Sequence, residues 1–299
     1  MDKLDDALLD LTALAMFRAV VHERGVTRAA ARLQRVQSNI TTRIRQLERT
    51  LGTSLFTRTG RRMVLTPEGE RLLPYAEQLL ELAGEARRSL GEPRPQGRLR
   101  LGAMPSLAVS ALPHWLGQYR RRWLDVSVEL TIEPPTLLLE RLRRFELDAV
   151  LVAQSGDADE FGRLASEVVA RDELVLVTDG DHPPVRYAAD LRSTRMVSLA
   201  RGCAYRRLAQ GWLMQGGVRP REIIDVDSYH ALFAWIAAGT AYGFAPRSTV
   251  GAASRAETVQ VHALGSLFTV NTALVWREAH SPRALDAFRA MLIEARQKS

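Results

Sequence analysis

The sequence predicts an α/β protein whose N-terminal segment is basic and rich in helix. Three observations support this prediction: arginines are concentrated before residue 66, one long helical stretch follows, and strands alternate with helices from Arg98 onward. The 299 residues, 46% of them hydrophobic, are enough for two or three domains with a sizeable core. We therefore expect an N-terminal domain at 1–66, a linker at 67–96 and an α/β domain at 97–299.

The basic excess of the chain is confined to its N-terminal segment. Between Arg18 and Arg62 there are 11 arginines and two glutamates, so this segment has a charge of 11 − 2 = +9, and the remainder has 7 − 9 = −2. Arginine binds phosphate through paired hydrogen bonds and contacts guanine edges. A solvated basic surface would give the same count, so the charge alone does not distinguish a nucleic-acid-binding surface from a solvated one.

Two short helices are predicted at the start of the basic segment. Leu14, Phe17 and Val21 recur at helical spacing, and Gly25 is a typical helix terminator. Thr27 is then expected to cap a second helix. The inward side chains of that helix are small or apolar: Ala29, Ala30 and Leu33.

A third helix is expected to begin at a Ser38 N-cap. Its apolar stripe has spacings of four, three and four: Ile40, Ile44, Leu47 and Leu51. Its outward face contains no acidic side chain: Asn39, Thr41, Thr42, Arg43, Gln46 and Arg49. Amides, hydroxyls and arginine on the leading turn suit a helix that contacts base edges in the major groove.

A β-hairpin is predicted after the third helix. Thr59 and Gly60 form its turn, and Arg58, Arg61 and Arg62 surround the tip. Such a hairpin would be a wing that touches phosphate or the minor groove. The segment is therefore expected to be a winged helix-turn-helix, mostly α-helical.

One long helix is predicted in the linker. Thr66 suits the N-cap and Pro67 the first turn, Pro74 is expected to kink the helix, and the residues 92–97 form a hinge. An apolar stripe runs along the helix: Leu72, Leu79, Ala83, Ala86 and Leu90. The stripe fits a dimerisation helix, although a helix packed within its own chain would show the same pattern.

Two rounds of strands and helices are predicted after the hinge. The strands are expected at 98–103, 126–132, 148–153, 174–179, 196–200, 223–227, 241–246 and 271–277, and the helices at 106–123, 136–144, 205–215, 229–238 and 282–296. This order predicts two lobes with parallel sheets, lobe I at about 97–173 plus 275–299 and lobe II at about 174–274. A ligand would bind in the cleft between them.

Catalytic, cofactor-binding and metal-binding sites have little support in the sequence. The six histidines are scattered without zinc-ligand spacing, and there is no phosphate-binding glycine loop or nucleophile elbow. We therefore expect no catalytic residues, no cofactor and no metal. There is no apolar run of about 18 residues, and the N-terminus is not a signal peptide, so a cytoplasmic protein without membrane contact is expected.

The basic segment resembles the winged helix-turn-helix of LysR-type transcriptional regulators. The match consists of F-x-A-V at 17–20, T-R-A-A at 27–30, Q-S at 37–38, R-Q-L-E-x-x-L-G at 45–52, L-F-x-R at 55–58 and L-T-x-x-G at 65–69. The resemblance implies that Gln37, Ser38 and Thr41 face base edges or nearby phosphates. It also implies backbone contacts by Thr27, Arg43, Arg58, Arg61 and Arg62. The family often has Ser-Arg where this chain has Thr41-Thr42, so Arg43 is expected to replace the usual arginine; Asn39 and Thr42 complete the expected DNA surface.

The resemblance extends to the remaining domains. It implies promoter DNA and RNA polymerase as partners, dimers or tetramers formed through antiparallel linker helices, and a small-molecule co-inducer between two periplasmic-binding-protein-like lobes. The matching cleft positions are Met104, Pro105, Ser106, Leu107, Pro135, Thr136, Ser198, Arg201, Gly202, Cys203, Tyr205, Tyr242 and Phe244.

A carboxylate effector is one expectation for this cleft. Ser106 and Thr136 each precede a predicted helix, whose free N–H groups favour an anion, and Arg201 and Arg206 are near in sequence. Both hydroxyls could equally be plain N-caps. Cys203 is the only cysteine, which excludes the cysteine pair of the peroxide-sensing members; a small buried side chain or a pocket-lining thiol remain open.

The alternative is a small-molecule-binding or enzymatic α/β protein with an accessory basic helical domain. That alternative predicts a catalytic constellation in the α/β domain, and the sequence shows none.

Overall fold

The computed structural model describes residues 9–59, 62–89, 94–154, 160–199, 204–253, 258–265, 268–278 and 281–297. The chain folds into two compact units, the first at 1–93 and the second at 94–299. The long helix predicted as a separate linker thus belongs to the same unit as the N-terminal helices.

The first unit contains helices and one hairpin in the predicted order. Its helices are α1 (Leu11–His22), α2 (Val26–Leu33), α3 (Gln37–Leu51) and α4 (Pro67–Ser89), and its strands are β1 (Phe56–Thr59) and β2 (Arg62–Leu65). The strands pair antiparallel, with Thr59 opposite Arg62. This is the expected winged helix-turn-helix followed by a long helix. Gly60 and Arg61, predicted at the hairpin tip, lie outside the described residues.

The core of the first unit forms from the predicted apolar stripes. Ile40 and Ile44 of α3 pack against α1 and α2, and Leu47 packs with Phe17 of α1. Ala29 and Ala30 are buried where α2 crosses its neighbours. Helical periodicity was sufficient to identify these side chains because each helix buries one face.

The predicted N-caps of α2 and α3 are wrong. α2 is capped by Gly25, whose φ is 156°, and α3 by Val36; neither helix has a side-chain cap hydrogen bond. Thr27 and Ser38 are the second residues of their helices. Gly25 can adopt this φ because it has no β-carbon. It therefore serves as the residue that precedes α2, and the helix begins at Val26.

Two residues hold the start of α4 against the segment that directly precedes β1. The Thr66 hydroxyl accepts the N–H of Gly69 at 3.1 Å and donates to the Ser54 carbonyl at 2.7 Å, which agrees with the predicted cap. A β-carbon on Gly69 would lie 2.3 Å from the Leu55 carbonyl oxygen. Glycine is required here because α4 approaches the backbone so closely.

The apolar stripe predicted on α4 is only partly internal to the first unit: Ala83 is half-buried and Ala86 is exposed. Leu72 and Leu79 pack against the cluster around Leu14, and Ala76 is fully buried in it. Leu90 lies outside the described residues. Tyr75 and Leu82 are instead the large apolar side chains that α4 exposes, at 52% and 49%.

The second unit alternates strands and helices. Its strands are β3 (Gly97–Ala103), β4 (Val126–Ile132), β5 (Ala149–Gln154), β6 (Ala165–Asp179), β7 (Arg195–Leu199), β8 (Glu222–Val226), β9 (Tyr242–Pro246), β10 (Val259–Ala263) and β11 (Thr269–Trp276). Its helices are α5 (Pro105–Val109), α6 (Leu112–Arg122), α7 (Pro135–Arg143), α8 (Ala204–Gln215), α9 (Tyr229–Ala237), α10 (Arg247–Ala253) and α11 (Arg283–Gln297), with a 3₁₀ turn at Ala188–Asp190.

The strands β3 to β11 of the described residues form one mixed sheet. Its order is β4-β3-β5-β11-β6-β9-β7-β8, and β10 also pairs with β6. β3 is parallel to β4 and β5, and β7 is parallel to β8 and β9, whereas β11 and β6 are antiparallel to their neighbours. The prediction of parallel strands is therefore correct for the two outer groups and wrong for the centre.

The central strand β6 belongs to both lobes. It begins at Ala165, earlier than the predicted 174, and pairs with β11 as far as Glu173 and with β9 from Leu174 onward. The first lobe therefore comprises β3–β5 and β11 with α5–α7 and α11, and the second lobe comprises β7–β10 with α8–α10. The predicted lobe boundary at residue 275 falls inside β11, whose pairing with β5 starts at Asn271.

The predicted helix at 106–123 is two helices. α5 ends at Val109, Ser110 has non-helical φ and ψ of −106° and −94°, and α6 begins at Leu112. Pro113 lies in the first turn of α6, where a helix tolerates proline because no intrahelical N–H bond is lost.

Candidate functional site

The outward face of α3 is polar, accessible and free of exposed acid. Thr41 is partly buried, and its hydroxyl donates to the Gln37 carbonyl at 3.0 Å. The other predicted positions of this helix are exposed: Gln37, Ser38, Asn39, Thr42 and Arg43. Thr27 on α2 is exposed as well. These side chains are therefore available to an external partner.

The only glutamate of α3 is engaged inside the first unit. The Glu48 carboxylate accepts the backbone N–H groups of Leu55 at 2.8 Å and Phe56 at 3.3 Å. Glu48 thereby positions the start of β1, and the two backbone donors stabilise its negative charge. Beside it, Arg45, Arg49 and Thr42 line an open concave surface together with Thr53 and Ser54. Arg45 was absent from the predicted surface, although it is one helical turn after Thr42.

Arg43 is paired with an acidic residue at the start of α1. Its Nη1 atom lies 3.4 Å from Oδ2 of Asp10, and both side chains are nearly half exposed. Oδ1 of Asp10 accepts the N–H of Thr12 and so caps α1. The pair orients Arg43 at the junction of α1 and α3.

The hairpin provides two of the three predicted arginine positions. Arg58 lies on β1 opposite Met63, and Arg62 lies on β2 opposite Thr59. Arg61 lies outside the described residues. The β1–β2 hairpin therefore places basic residues next to its tip.

A cavity of about 290 Å³ lies between the two lobes of the second unit. Its lining comes from the carboxyl ends of strands and the starts of helices: Met104, Pro105, Ser106, Ile132, Glu133, Pro134, Pro135, Leu199, Tyr205, Val226, Asp227 and Tyr229. Such strand ends are where open α/β sheets bind ligands.

The structure brings some of the predicted cleft residues to this cavity. Met104, Pro105, Ser106, Pro135 and Tyr205 line it. A narrower pocket shares Leu199, Tyr205 and Tyr229 with it and includes the predicted Ser198 and Phe244.

Three more predicted cleft residues do not line this cavity, and three others cannot be compared with it. Leu107 and Tyr242 are buried in the hydrophobic core, and Thr136 is exposed on α7. Burial raises the pKa of Tyr242 to about 12. Arg201, Gly202 and Cys203 lie outside the described residues.

The prediction that Ser106 and Thr136 each precede a helix is wrong, and so is the alternative that they are N-caps. Met104 caps α5 and Pro134 caps α7, so Ser106 and Thr136 are the second residues of their helices. Proline precedes each of them and has no N–H, which removes one free donor from each helix start. Arg206, which was expected near a carboxylate effector, forms an ion pair within the protein: its Nη1 lies 2.5 Å from Oδ1 of Asp225.

The polar groups of the cavity come from both lobes. Ser106 is 3% exposed, and its hydroxyl has no hydrogen-bond partner among the described residues. Oε1 of Glu133 lies 2.8 Å from Nη1 of Arg141. Asp227 is exposed at the cavity rim. Sequence reasoning missed both acids, although each directly follows a strand, β4 or β8, at its carboxyl end.

Two histidines form a buried pair in the second lobe. Val185 donates its N–H to Nδ1 of His262, and Arg192 donates its N–H to Nε2 of His182, both at 3.2 Å. Nε2 of His262 is 2.9 Å from the Thr178 hydroxyl. Burial, and then the nearby His182, lower the pKa of His262.

In the part of the chain that the structure describes, no three or more His, Cys, Asp or Glu side chains are grouped to hold a metal ion. No helix in that part combines the length and apolarity that a membrane span requires.

Comparisons with known proteins match both units. Residues 11–70 match the model described as bacterial regulatory helix-turn-helix protein, lysR family, and residues 93–297 match the LysR substrate binding domain. The HTH-type transcriptional regulator GltR of Bacillus subtilis is 30% identical over 272 residues, covering 90% of this chain and 91% of that protein. YofA of Bacillus velezensis, another HTH-type transcriptional regulator, is 32% identical over 256 residues, covering 85% and 87%.

Solved structures share the fold at low sequence identity. A cysteine-to-aspartate variant of full-length OxyR from Pseudomonas aeruginosa aligns with a TM-score of 0.73 and 20% identity, over 95% of both chains. Full-length CbnR in complex with its target DNA aligns with a TM-score of 0.65 and 23% identity, over 96% of this chain and 100% of that one.

Proposed function

The chain belongs to the LysR family of bacterial transcriptional regulators, and from this premise we propose that it binds a specific promoter sequence under the control of a small molecule. α3 would lie in the major groove, and the β1–β2 hairpin would contact the adjoining backbone. The cavity between the lobes would hold the effector. As a regulator of transcription the chain would act in the cytoplasm and would catalyse no reaction.

The acid-free outward face of α3 is the observation that supports DNA binding most strongly. Gln37, Ser38, Asn39 and Thr41 form its leading turn, where amides and hydroxyls can pair with base edges. We assign phosphate contacts to the basic and hydroxyl side chains around it: Thr27, Thr42, Arg43, Arg58, Arg61 and Arg62. Glu48, the one acid of α3, accepts two backbone N–H groups, which partly compensate its negative charge beside this surface.

The cavity supports the effector role. It is lined by both lobes, and they are joined through the central strands β6 and β11. A ligand that binds the closed arrangement better than the open one would shift the population toward closure. In a dimer or tetramer assembled through α4, closure would change the spacing of the DNA-binding units and the DNA bend, and thereby the contact with RNA polymerase.

The first experiment is a selection from random duplex DNA with the full chain. We expect enrichment of a partly palindromic motif, because a dimer places two α3 helices on neighbouring half-sites. The Gln37→Ala and Asn39→Ala variants should relax the preference at particular bases of the motif, whereas the exposed Glu140→Gln variant of the second unit should select the wild-type motif. Failure to enrich any motif, or identical motifs from all variants, would contradict the proposal.

A further inference from the structure

We propose that the effector is a small apolar amine, whose ammonium group binds between Glu133 of the first lobe and Asp227 of the second. This inference rests on the proposed effector role of the cavity and specifies the class of ligand. It differs from the carboxylate that the sequence suggested.

The size and lining of the cavity limit the ligand to a small apolar molecule. A volume of about 290 Å³ is near the lower end of the ~300–1,000 Å³ typical of ligand pockets. Most of the wall is apolar or aromatic: Met104, Pro105, Ile132, Pro134, Pro135, Leu199, Tyr205, Val226 and Tyr229. A single ring or a short alkyl chain would fill such a space.

Charge determines the head group. Glu133 and Asp227 are the charged side chains among the described lining residues, and both are acidic. Arg141 pairs with Oε1 of Glu133 and with Glu146, and does not line the cavity. Because Glu133 is already paired with Arg141, Asp227 is the lining charge without an ion pair among the described residues. A carboxylate ligand would meet this like charge in a partly desolvated site, which is unfavourable, whereas a cation would meet an opposite one.

Ser106 provides an independent polar observation. Ser106 lines the cavity, and its hydroxyl is buried without a hydrogen-bond partner among the described residues. A buried hydroxyl without a partner costs free energy, so a ligand that bonds to it gains affinity. An ammonium group has three N–H donors, which matches the Ser106 hydroxyl and the two carboxylates.

The position of the two acids also explains how such a ligand would act. Glu133 follows β4 in the first lobe, and Asp227 follows β8 in the second. An ammonium group bound between the two lobes would be attracted by Asp227 of the second lobe and by the second carboxylate oxygen of Glu133 in the first. The amine would therefore bind the closed arrangement more tightly than the open one.

The test uses three carbon skeletons, phenylethyl, cyclohexylmethyl and n-pentyl, each offered as the amine, the alcohol and the carboxylate. Binding to the full chain is measured by titration calorimetry at pH 7. We expect at least one amine to bind about tenfold more tightly than its alcohol, and the carboxylate to bind most weakly. Asp227→Asn should weaken amine binding about 10- to 100-fold and leave alcohol binding unchanged, because only the amine loses a charge-assisted bond.

The control variant is Glu140→Gln, which removes a charge of the same sign from the exposed face of α7, outside the cavity lining. It should bind the amine as the wild type does. The inference is overturned if no amine binds, if an alcohol or carboxylate binds more tightly than its amine, or if Asp227→Asn has no effect. A carboxylate that binds and changes DNA binding would leave the proposed function intact, whereas failure to enrich a DNA motif would contradict that function itself.

Discussion

The guanidinium group of Arg43 lies 3.4 Å from the carboxylate of Asp10, the residue that caps α1. In the absence of DNA, an arginine of the outward face is therefore paired with an acid of the same unit. A DNA phosphate would have to replace this partner. Because the pair is exposed, it contributes little to folding stability, so its effect is expected mainly in DNA binding.

Arg43→Ala should weaken binding of the selected DNA about tenfold, because one charge-assisted phosphate contact per chain is lost. The slope of log affinity against log salt should become less steep by about 1 for each lost contact. Fluorescence anisotropy between about 50 and 200 mM salt measures both. Arg144→Ala, which removes an exposed arginine of the second unit, is the control. An unchanged salt slope for Arg43→Ala would refute the phosphate contact.

Asp10→Asn should strengthen DNA binding several-fold at low salt, since it releases Arg43 and removes a negative charge near the phosphates. Asparagine caps helices as well as aspartate does, so α1 should remain intact. The same anisotropy titration checks this outcome, with circular dichroism for the helix. Weaker binding by a folded Asp10→Asn chain would mean that Asp10 positions Arg43 and does not compete for it.

Asp148→Asn should destabilise the second unit by about 3–5 kcal/mol, because it removes the charged carboxylate that pairs with a buried arginine. Nη2 of Arg100 is 2.6 Å from Oδ1 of Asp148, and the two side chains are 5% and 0% exposed. Glu129→Gln is the matched control, since it breaks an exposed pair with Arg98 on the same sheet and should cost at most about 1 kcal/mol. All five tryptophans follow residue 94, so tryptophan fluorescence in urea reports this unit. Equal losses in the two variants would contradict the account.

The second unit should lose stability as the pH falls below about 6.5. Burial lowers the pKa of His262 from its ordinary 6.5, so the folded state favours the neutral ring. The unfolded chain then takes up the proton first, and the unfolding free energy falls as pH drops through the unfolded pKa toward the folded one. His262→Gln should flatten the dependence between about pH 8 and 5.5 in the urea assay. The same slope in both proteins would rule out His262 as the group responsible.

Sequence alone predicted the features that depend on residues close together in the chain. Ile40, Ile44 and Leu47 recur at helical spacing, and all three are buried. β4 was predicted with its observed bounds because its side chains alternate. The start of β6 was missed, since its first residues pair with β11 from the far end of the chain.

Three helix starts in the second unit are marked by prolines and not by the hydroxyl residues that were predicted to precede the helices. Pro105 and Pro135 each occupy the first position of a helix, so the N-cap is the residue before. Pro113 likewise indicated that a new helix begins at Leu112. The cavity was predicted only in part, because Glu133 and Asp227 approach it from separate lobes and no local pattern relates them.

The affinity of the full chain for its selected duplex, compared with a scrambled duplex at about 150 mM salt, tests the central claim most directly. Specific DNA-binding proteins prefer their own site by a factor of about 10³ or more over other DNA. We predict a ratio of this order, with both affinities falling steeply as salt increases. Equal affinities for the two duplexes would show that the basic surface of the first unit attracts DNA without recognising its sequence, and would contradict the account.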